Sequence, residues 1–130
     1  MKNSETPRRI LVIEDNFDSA ETLKALLELQ NHTLEIAYDG KSGIEKSLTF
    51  APEIVICDIG LPDDFDGYKV AQTIRKNEKL QPVCLIALSG YGQKEDIQQS
   101  VASGFDFHLV KPADFDKLFK LIEEFEKAHE

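Results

Sequence analysis

The sequence predicts an α/β fold in which helices cover both faces of a parallel sheet. Three observations point there. Short, continuously apolar runs recur (Ile10-Leu11-Val12-Ile13, Ile54-Val55-Ile56-Cys57 and Val83-Cys84-Leu85-Ile86-Ala87-Leu88), and strands buried on both faces read this way. Between the runs lie stretches with apolar residues at helical spacing and charges opposite them. The two kinds of segment alternate five times, which calls for right-handed crossovers within one sheet.

Residues 1–7 are polar and read as a flexible tail. The first strand, 10–13, ends in Glu14-Asp15, and Asn16 can cap a helix with Phe17, Ala20, Leu23 and Leu27 inward and Asp18, Glu21, Lys24 and Glu28 outward. Leu34-Glu35-Ile36-Ala37-Tyr38 alternates, as an edge strand with one wetter face does. Asp39-Gly40 opens a second helix with Ile44, Leu48 and Ala51 as its stripe, and Pro52 stops it. The strand 54–58 runs into Asp58, and an acidic loop with Asp63, Asp64 and Asp66 follows. Asp66 can cap a third helix that turns Val70, Ala71 and Ile74 inward.

Pro82 precedes the fourth strand, 83–88, which ends at Ser89-Gly90. The fourth helix, about 93–103, has a thin stripe of Ile97 and Val101, and Gly104 suits its C′ position. A fifth strand, 105–110, ends at Lys111-Pro112. The last helix, from Asp114, lines up Phe115, Leu118, Phe119, Ile122 and Phe125. Five βα units without linker or solenoid repeat predict a flavodoxin-like three-layer sandwich, with its five parallel strands in the order 2-1-3-4-5.

Composition narrows the function. The formal charge of -9 argues against nucleic-acid binding and against an anionic membrane surface. No apolar run approaches a membrane span and the N-terminus lacks a signal-peptide core, so membrane insertion is not expected and the expected location is cytoplasmic. Cys57 and Cys84 sit inside apolar runs, where they read as small buried hydrophobes rather than a disulfide or a metal pair.

In a parallel sheet all strand C-termini meet at one edge, where ligands bind. Here that edge would gather Glu14 and Asp15, Asp58, Ser89 and Lys111. Three carboxylates together repel one another and invite a divalent cation; oxygen ligands without His or Cys favour Mg2+. A carboxylate beside magnesium, a lysine and a hydroxyl suits phosphoryl transfer, with the carboxylate as nucleophile forming an aspartyl phosphate. Taken singly these residues are ordinary: Asp58 as a turn cap, Glu14 and Asp15 as acids at a helix N-terminus, Ser89 in a turn, Lys111 in water. Their convergence sets them apart. Gly40-Lys41-Ser42 mimics the end of a phosphate-binding loop, but Glu35 stands where its first glycine belongs. Tyr91, His32 and His129 read as surface residues, and Phe65 as either a local plug or an exposed contact.

From about Arg8 to the final helix the chain resembles a response-regulator receiver domain of two-component signalling. Ile13-Glu14-Asp15-Asn16 resembles the acidic pair of that family, and Cys57-Asp58-Ile59-Gly60-Leu61-Pro62 its phosphoacceptor strand and turn. Leu88-Ser89-Gly90 resembles its hydroxyl position, and Leu109-Val110-Lys111-Pro112 its Lys-Pro signature, usually with a cis peptide bond. The resemblance implies one receiver domain over residues 1–130 that takes a phosphoryl group on Asp58 from a histidine kinase or histidine phosphotransfer protein. It implies Mg2+ held by Asp15, Asp58 and the Gly60 carbonyl, with Glu14 reaching it through water. Lys111 would pair with Asp58 and then with the phosphoryl group. Ser89 would move toward the phosphate and couple it to the surface of the fourth helix and fifth strand. The protein would then be a switch, relay or phosphate sink rather than a conventional enzyme, and a monomer or weak dimer.

Two departures stand out. The aromatic that many members carry three residues before the lysine, where a ring moves inward on activation, is His108 here, after Phe107. The resemblance implies that His108 would serve as that switch ring together with Ser89, without the usual hydroxyl. The loop Pro62-Asp63-Asp64-Phe65-Asp66-Gly67 is one residue longer than the common form. The wording of 87–92 and 105–112 resembles receivers attached to hybrid sensor kinases. An aspartate-nucleophile phosphatase is the rival enzyme class, but Gly60 stands where its second acid belongs and the chain leaves no room for a cap. A module that keeps the fold without the chemistry is the other rival.

Overall fold

The computed structural model describes residues 7–62, 64–80, 82–90, 94–112 and 114–128, with side chains to Phe125. Asp63, Tyr91, His129 and residues 1–6 of the expected tail lie outside that set. The elements are β1 (Arg9–Ile13), α1 (Phe17–Leu29), β2 (Thr33–Ala37), α2 (Gly40–Phe50), β3 (Ile54–Asp58), α3 (Gly67–Lys76), β4 (Cys84–Ser89), α4 (Lys94–Ser103), β5 (Phe107–Val110) and α5 (Phe115–Ala128). All strand pairs are parallel, in the order β2-β1-β3-β4-β5. The flavodoxin-like prediction therefore holds. Among the described residues no helix is long and apolar enough to cross a membrane.

Strand alternation splits the core into two layers. Ile10, Val12, Ile54, Ile56, Ile86 and Leu88 face α1 and α5, meeting Ala20, Leu23, Leu27, Leu118 and Ile122. Leu11, Ile13, Val55, Cys57, Leu85 and Ala87 face the other way, against Val70, Ala71 and Ile74 of α3. Every residue of β3 and β4 is buried, as the unbroken apolar runs required. Three predicted caps are formed: Asn16, Asp39 and Asp66 accept the amides of Ser19, Ser42 and Lys69. Gly104, with φ 117°, ends α4 in a conformation only glycine takes easily.

Several helix faces differ from the sequence expectation. Phe17 turns outward, 61% exposed, and stacks on Tyr38 at 5.8 Å. In α2 the buried face is Gly40, Gly43 and Ser47, while Leu48 and the left-handed C-cap Ala51 are exposed. That helix lies so near β1 that a Cβ on Gly43 would stand 2.5 Å from Ile13 Cδ1, so only small residues can face the sheet. In α4 the buried residues are Ser100 and Ser103, and Ile97 and Val101 point outward. β2 begins at Thr33 and ends at Ala37, β4 begins at Cys84, and β5 begins only at Phe107.

His32 is buried rather than at the surface, because its Nδ1 accepts the Arg8 amide at 3.0 Å. Phe65 proves to be a plug: it packs into the α3-side core, and a Cβ on Gly40 would stand 2.4 Å from its ring. At the sheet edge away from Asp58, Arg75 donates to the carbonyls of Gly104 and Val83 and to Asp106.

Cys57 and Cys84 are buried free thiols on opposite faces of the sheet, so they cannot pair. Burial pushes the Cys84 thiol up to about 12, and burial together with the Asp58 and Glu14 charges drives Cys57 well above its usual value. Neither offers a thiolate at mildly alkaline pH. Iodoacetamide is therefore expected to leave the native protein unmodified in intact mass and to alkylate both thiols once urea unfolds it; fast modification of the native form would contradict this burial.

Candidate functional site

Backbone pairing continues past the strands and fixes the edge where the singled-out residues stand. Glu14 N–H donates to Ala37 O at 3.0 Å, Ile59 N–H to Leu88 O at 2.8 Å, and Lys111 N–H to Ser89 O at 2.7 Å. Because Ile13 pairs with Cys57 and Asp58 with Leu88, Glu14 and Asp58 leave adjacent strands side by side. Ser89 pairs with Val110, which brings Lys111 up beside the same edge. The Lys111–Pro112 peptide bond is cis.

Glu14, Asp58 and Ser89 are 3%, 6% and 2% exposed, while Asp15 is open to water. Lys111 Nζ lies 2.8 Å from Glu14 Oε1 and 3.2 Å from Asp58 Oδ1. Asp58 Oδ1 also accepts the Gly60 amide at 3.1 Å, and Glu14 Oε2 the Asn16 amide at 3.1 Å. Burial pushes the Glu14 carboxyl above its ordinary range; the Asp58 charge adds to this, and the hydrogen bonds from Lys111 and Asn16 only partly oppose it. For Lys111, burial alone would pull the ammonium down, but the Glu14 hydrogen bond and the two carboxylate charges outweigh it, so the net shift is upward.

Carboxylate oxygens of Glu14, Asp15 and Asp58 lie within 4.8 Å of one another. Three acids against one ammonium leave the cluster with surplus negative charge. Its donors are all hard oxygens, and one of the acids faces water. That donor set fits a hydrated divalent cation such as magnesium better than a sulfur- or imidazole-preferring metal. Gly60 is exposed on the turn beside it, and Asp58 Oδ1 stands 3.8 Å from its Cβ position.

His108 stands apart from this cluster. Phe107 faces the α1–α5 core, so alternation turns the next ring toward α4, where Nδ1 lies 2.7 Å from Ser100 Oγ. Two contacts were missed by sequence reasoning, the Lys111–Glu14 pair and the His108–Ser100 pair. The first joins residues 97 positions apart, and nothing local signals it.

The family model described as "Response regulator receiver domain" matches residues 10–123. An uncharacterized 14.6 kDa protein of Leptolyngbya boryana is 28% identical over 116 residues, covering 89% of this chain and 88% of that protein. Response regulator ArlR of Staphylococcus saprophyticus is 32% identical over 117 residues, covering 88% of this chain, but the chain spans only 50% of ArlR. Among solved structures, the signal receiver domain of a DNA-binding response regulator (merR) from Colwellia psychrerythraea superposes with a TM-score of 0.85 at 25% identity, covering 92% of this chain and 98% of that one.

Proposed function

The chain belongs to the response regulator receiver domain family, and from that premise we propose that it accepts a phosphoryl group on Asp58 and thereby changes its protein contacts. The observation that carries this is the placement of Lys111 between two buried carboxylates, 3.2 Å from Asp58 Oδ1 and 2.8 Å from Glu14 Oε1. Lys111 and the Gly60 amide hold Oδ1, which leaves the other Asp58 oxygen to attack. A P–O bond forms there while the P–N bond to the donor imidazole breaks. Lys111 moves its charge from the carboxylate to the new phosphoryl oxygens, and the Ser89 hydroxyl donates to one of them. Glu14, Asp15, Asp58 and the Gly60 carbonyl are the residues that would hold Mg2+, Glu14 through a water. The ion would neutralise charge on the transferring group.

The donor class is a histidine kinase or a histidine phosphotransfer protein. A cavity of about 320 Å3 lies on the α1 and α5 side of Glu14 and Lys111, lined also by Asp18, Ser19, Leu88 and Phe115, and Asp58 is not among its lining residues. In the reading we favour, the protein is a cytoplasmic switch, relay or phosphate sink, not a conventional enzyme, and works as a monomer or weak dimer. The second reading is the receiver of a hybrid sensor kinase, supported by the wording of residues 105–112. A phosphatase is disfavoured because Gly60 supplies no second acid.

Incubation with magnesium and acetyl phosphate, followed by intact mass, tests the proposal. A single phosphoryl adduct is expected, lost in Asp58→Asn and prevented by chelation with EDTA. No adduct with acetyl phosphate or a phosphohistidine donor would leave an interaction module that lacks the chemistry.

A further inference from the structure

Helix α4 is attached to the rest of the fold without an apolar stripe. Its buried side chains are Ser100 and Ser103, while Ile97 and Val101 are 40% and 63% exposed. Burying a hydroxyl gains almost no hydrophobic free energy and costs free energy unless the hydroxyl is bonded. What fastens the helix must therefore be polar. Ser100 is fully buried, and its Oγ stands 2.7 Å from Nδ1 of His108 in the middle of β5. It also acts on Tyr68 of α3: burial and the Asp96 carboxylate push that phenol up, and a hydrogen bond with Ser100 draws it back.

We propose that Ser100 latches α4 to β5 through His108, and that α4 opens as a local unit when this hydrogen bond breaks. Either state of the ring supports the latch, since the hydroxyl can donate to a bare Nδ1 or accept from a protonated one. Opening carries few apolar side chains of the helix itself into water, because Ile97 and Val101 already face outward. It therefore needs less free energy than unfolding the sheet. Ser100 is a positioning residue acting through His108. The latch belongs to the protein without phosphodonor, so it and the phosphoacceptor reading can fail separately.

Hydrogen–deuterium exchange of the whole chain, with no phosphodonor present, tests the latch. In Ser100→Ala, peptides from residues 94–103 are expected to exchange about three- to tenfold faster relative to those of β3 and β4, the range one net hydrogen bond supplies. His108→Phe is expected to do the same, and the double variant to exchange no faster than the quicker single one. Unchanged or slower α4 exchange, an equal acceleration of all elements, or effects that multiply in the double variant would each overturn the latch. Should Ser100→Ala fold poorly, His108→Phe carries the same comparison alone.

Discussion

Gly67→Ala is expected to cost about 3 kcal/mol or more in urea unfolding and to displace the phosphoacceptor strand end. A Cβ at this position would stand 2.6 Å from the carbonyl oxygen of Asp58 and 2.6 Å from Cα of Ile59. Both are backbone atoms, so no side chain can rotate away. Either α3 retreats or the turn after β3 shifts. Retreat would loosen Val70, Ala71 and Ile74, all fully buried, and a shifted turn would strain the 3.0 Å bond from Gly67 N–H to Ile59 O. The gain in helix propensity, under about 1 kcal/mol, does not compensate. Gly43→Ala is the control. Its Cβ meets only side-chain atoms of Ile13, Cδ1 at 2.5 Å, Cγ1 at 3.0 Å and Cγ2 at 3.2 Å, which can shift more readily than backbone, so a smaller cost of about 1–2 kcal/mol is expected there. Equal costs for the two variants would mean that the backbone contact at Gly67 is not what limits α3. Adduct formation at Asp58 should also slow in Gly67→Ala and not in Gly43→Ala.

This pair of glycines shows where the sequence could and could not be read. β1, β3 and β4 were legible because strands buried on both faces leave unbroken apolar runs, and the caps at Asn16, Asp39 and Asp66 because a short polar side chain before a helix has one common use. The inner faces of α2 and α4 were misread for a shared reason. Hydrophobic periodicity finds a helix that buries large residues, but α2 approaches the sheet on Gly40, Gly43 and Ser47, and α4 on Ser100 and Ser103. Small and hydroxylated residues carry no apolar signal, so Leu48, Ile97 and Val101 drew attention to the wrong side, while Ile44 does pack against the core, half-buried. Phe17, the first residue of α1, was assigned inward with Ala20, Leu23 and Leu27, which are buried, and instead stacks on Tyr38.

At the site, acids closing apolar strands were legible because a parallel sheet collects strand ends at one edge. That Lys111 would bind Glu14 more closely than Asp58 was not, since strand order alone does not say which of two adjacent carboxylates an ammonium reaches.

Lys111→Met is expected to lower stability by about 2–3 kcal/mol, and Asp58→Asn to raise it by about 1 kcal/mol while abolishing the adduct. Glu14 is 3% exposed and cannot regain its hydration when the ammonium is lost. Breaking a buried pair from one side costs about 3–5 kcal/mol, and solvent screening at the 34% exposed Lys111 side chain brings this one down to about 2–3 kcal/mol. Asp58→Asn acts in the opposite sense. Asp58 faces two other carboxylates within 4.8 Å, each repelling it by about 3 kcal/mol at an effective dielectric constant of about 20, and the attraction of Lys111 at 3.2 Å, about 5 kcal/mol on the same scale, offsets only part of that sum. Removing one charge relieves the repulsion and leaves the ammonium on Glu14. The two changes meet on one lysine, so they should not add: Asp58→Asn should recover more stability in the Lys111→Met background than in the wild type. Magnesium separates this account from a simple packing effect. A cation that binds only the folded cluster raises the unfolding midpoint of the wild type, and it should do so much less once Asp58 is neutral. An Asp58→Asn variant no more stable than wild type, with an undiminished magnesium response, would place the surplus negative charge elsewhere and remove the electrostatic case for this cluster.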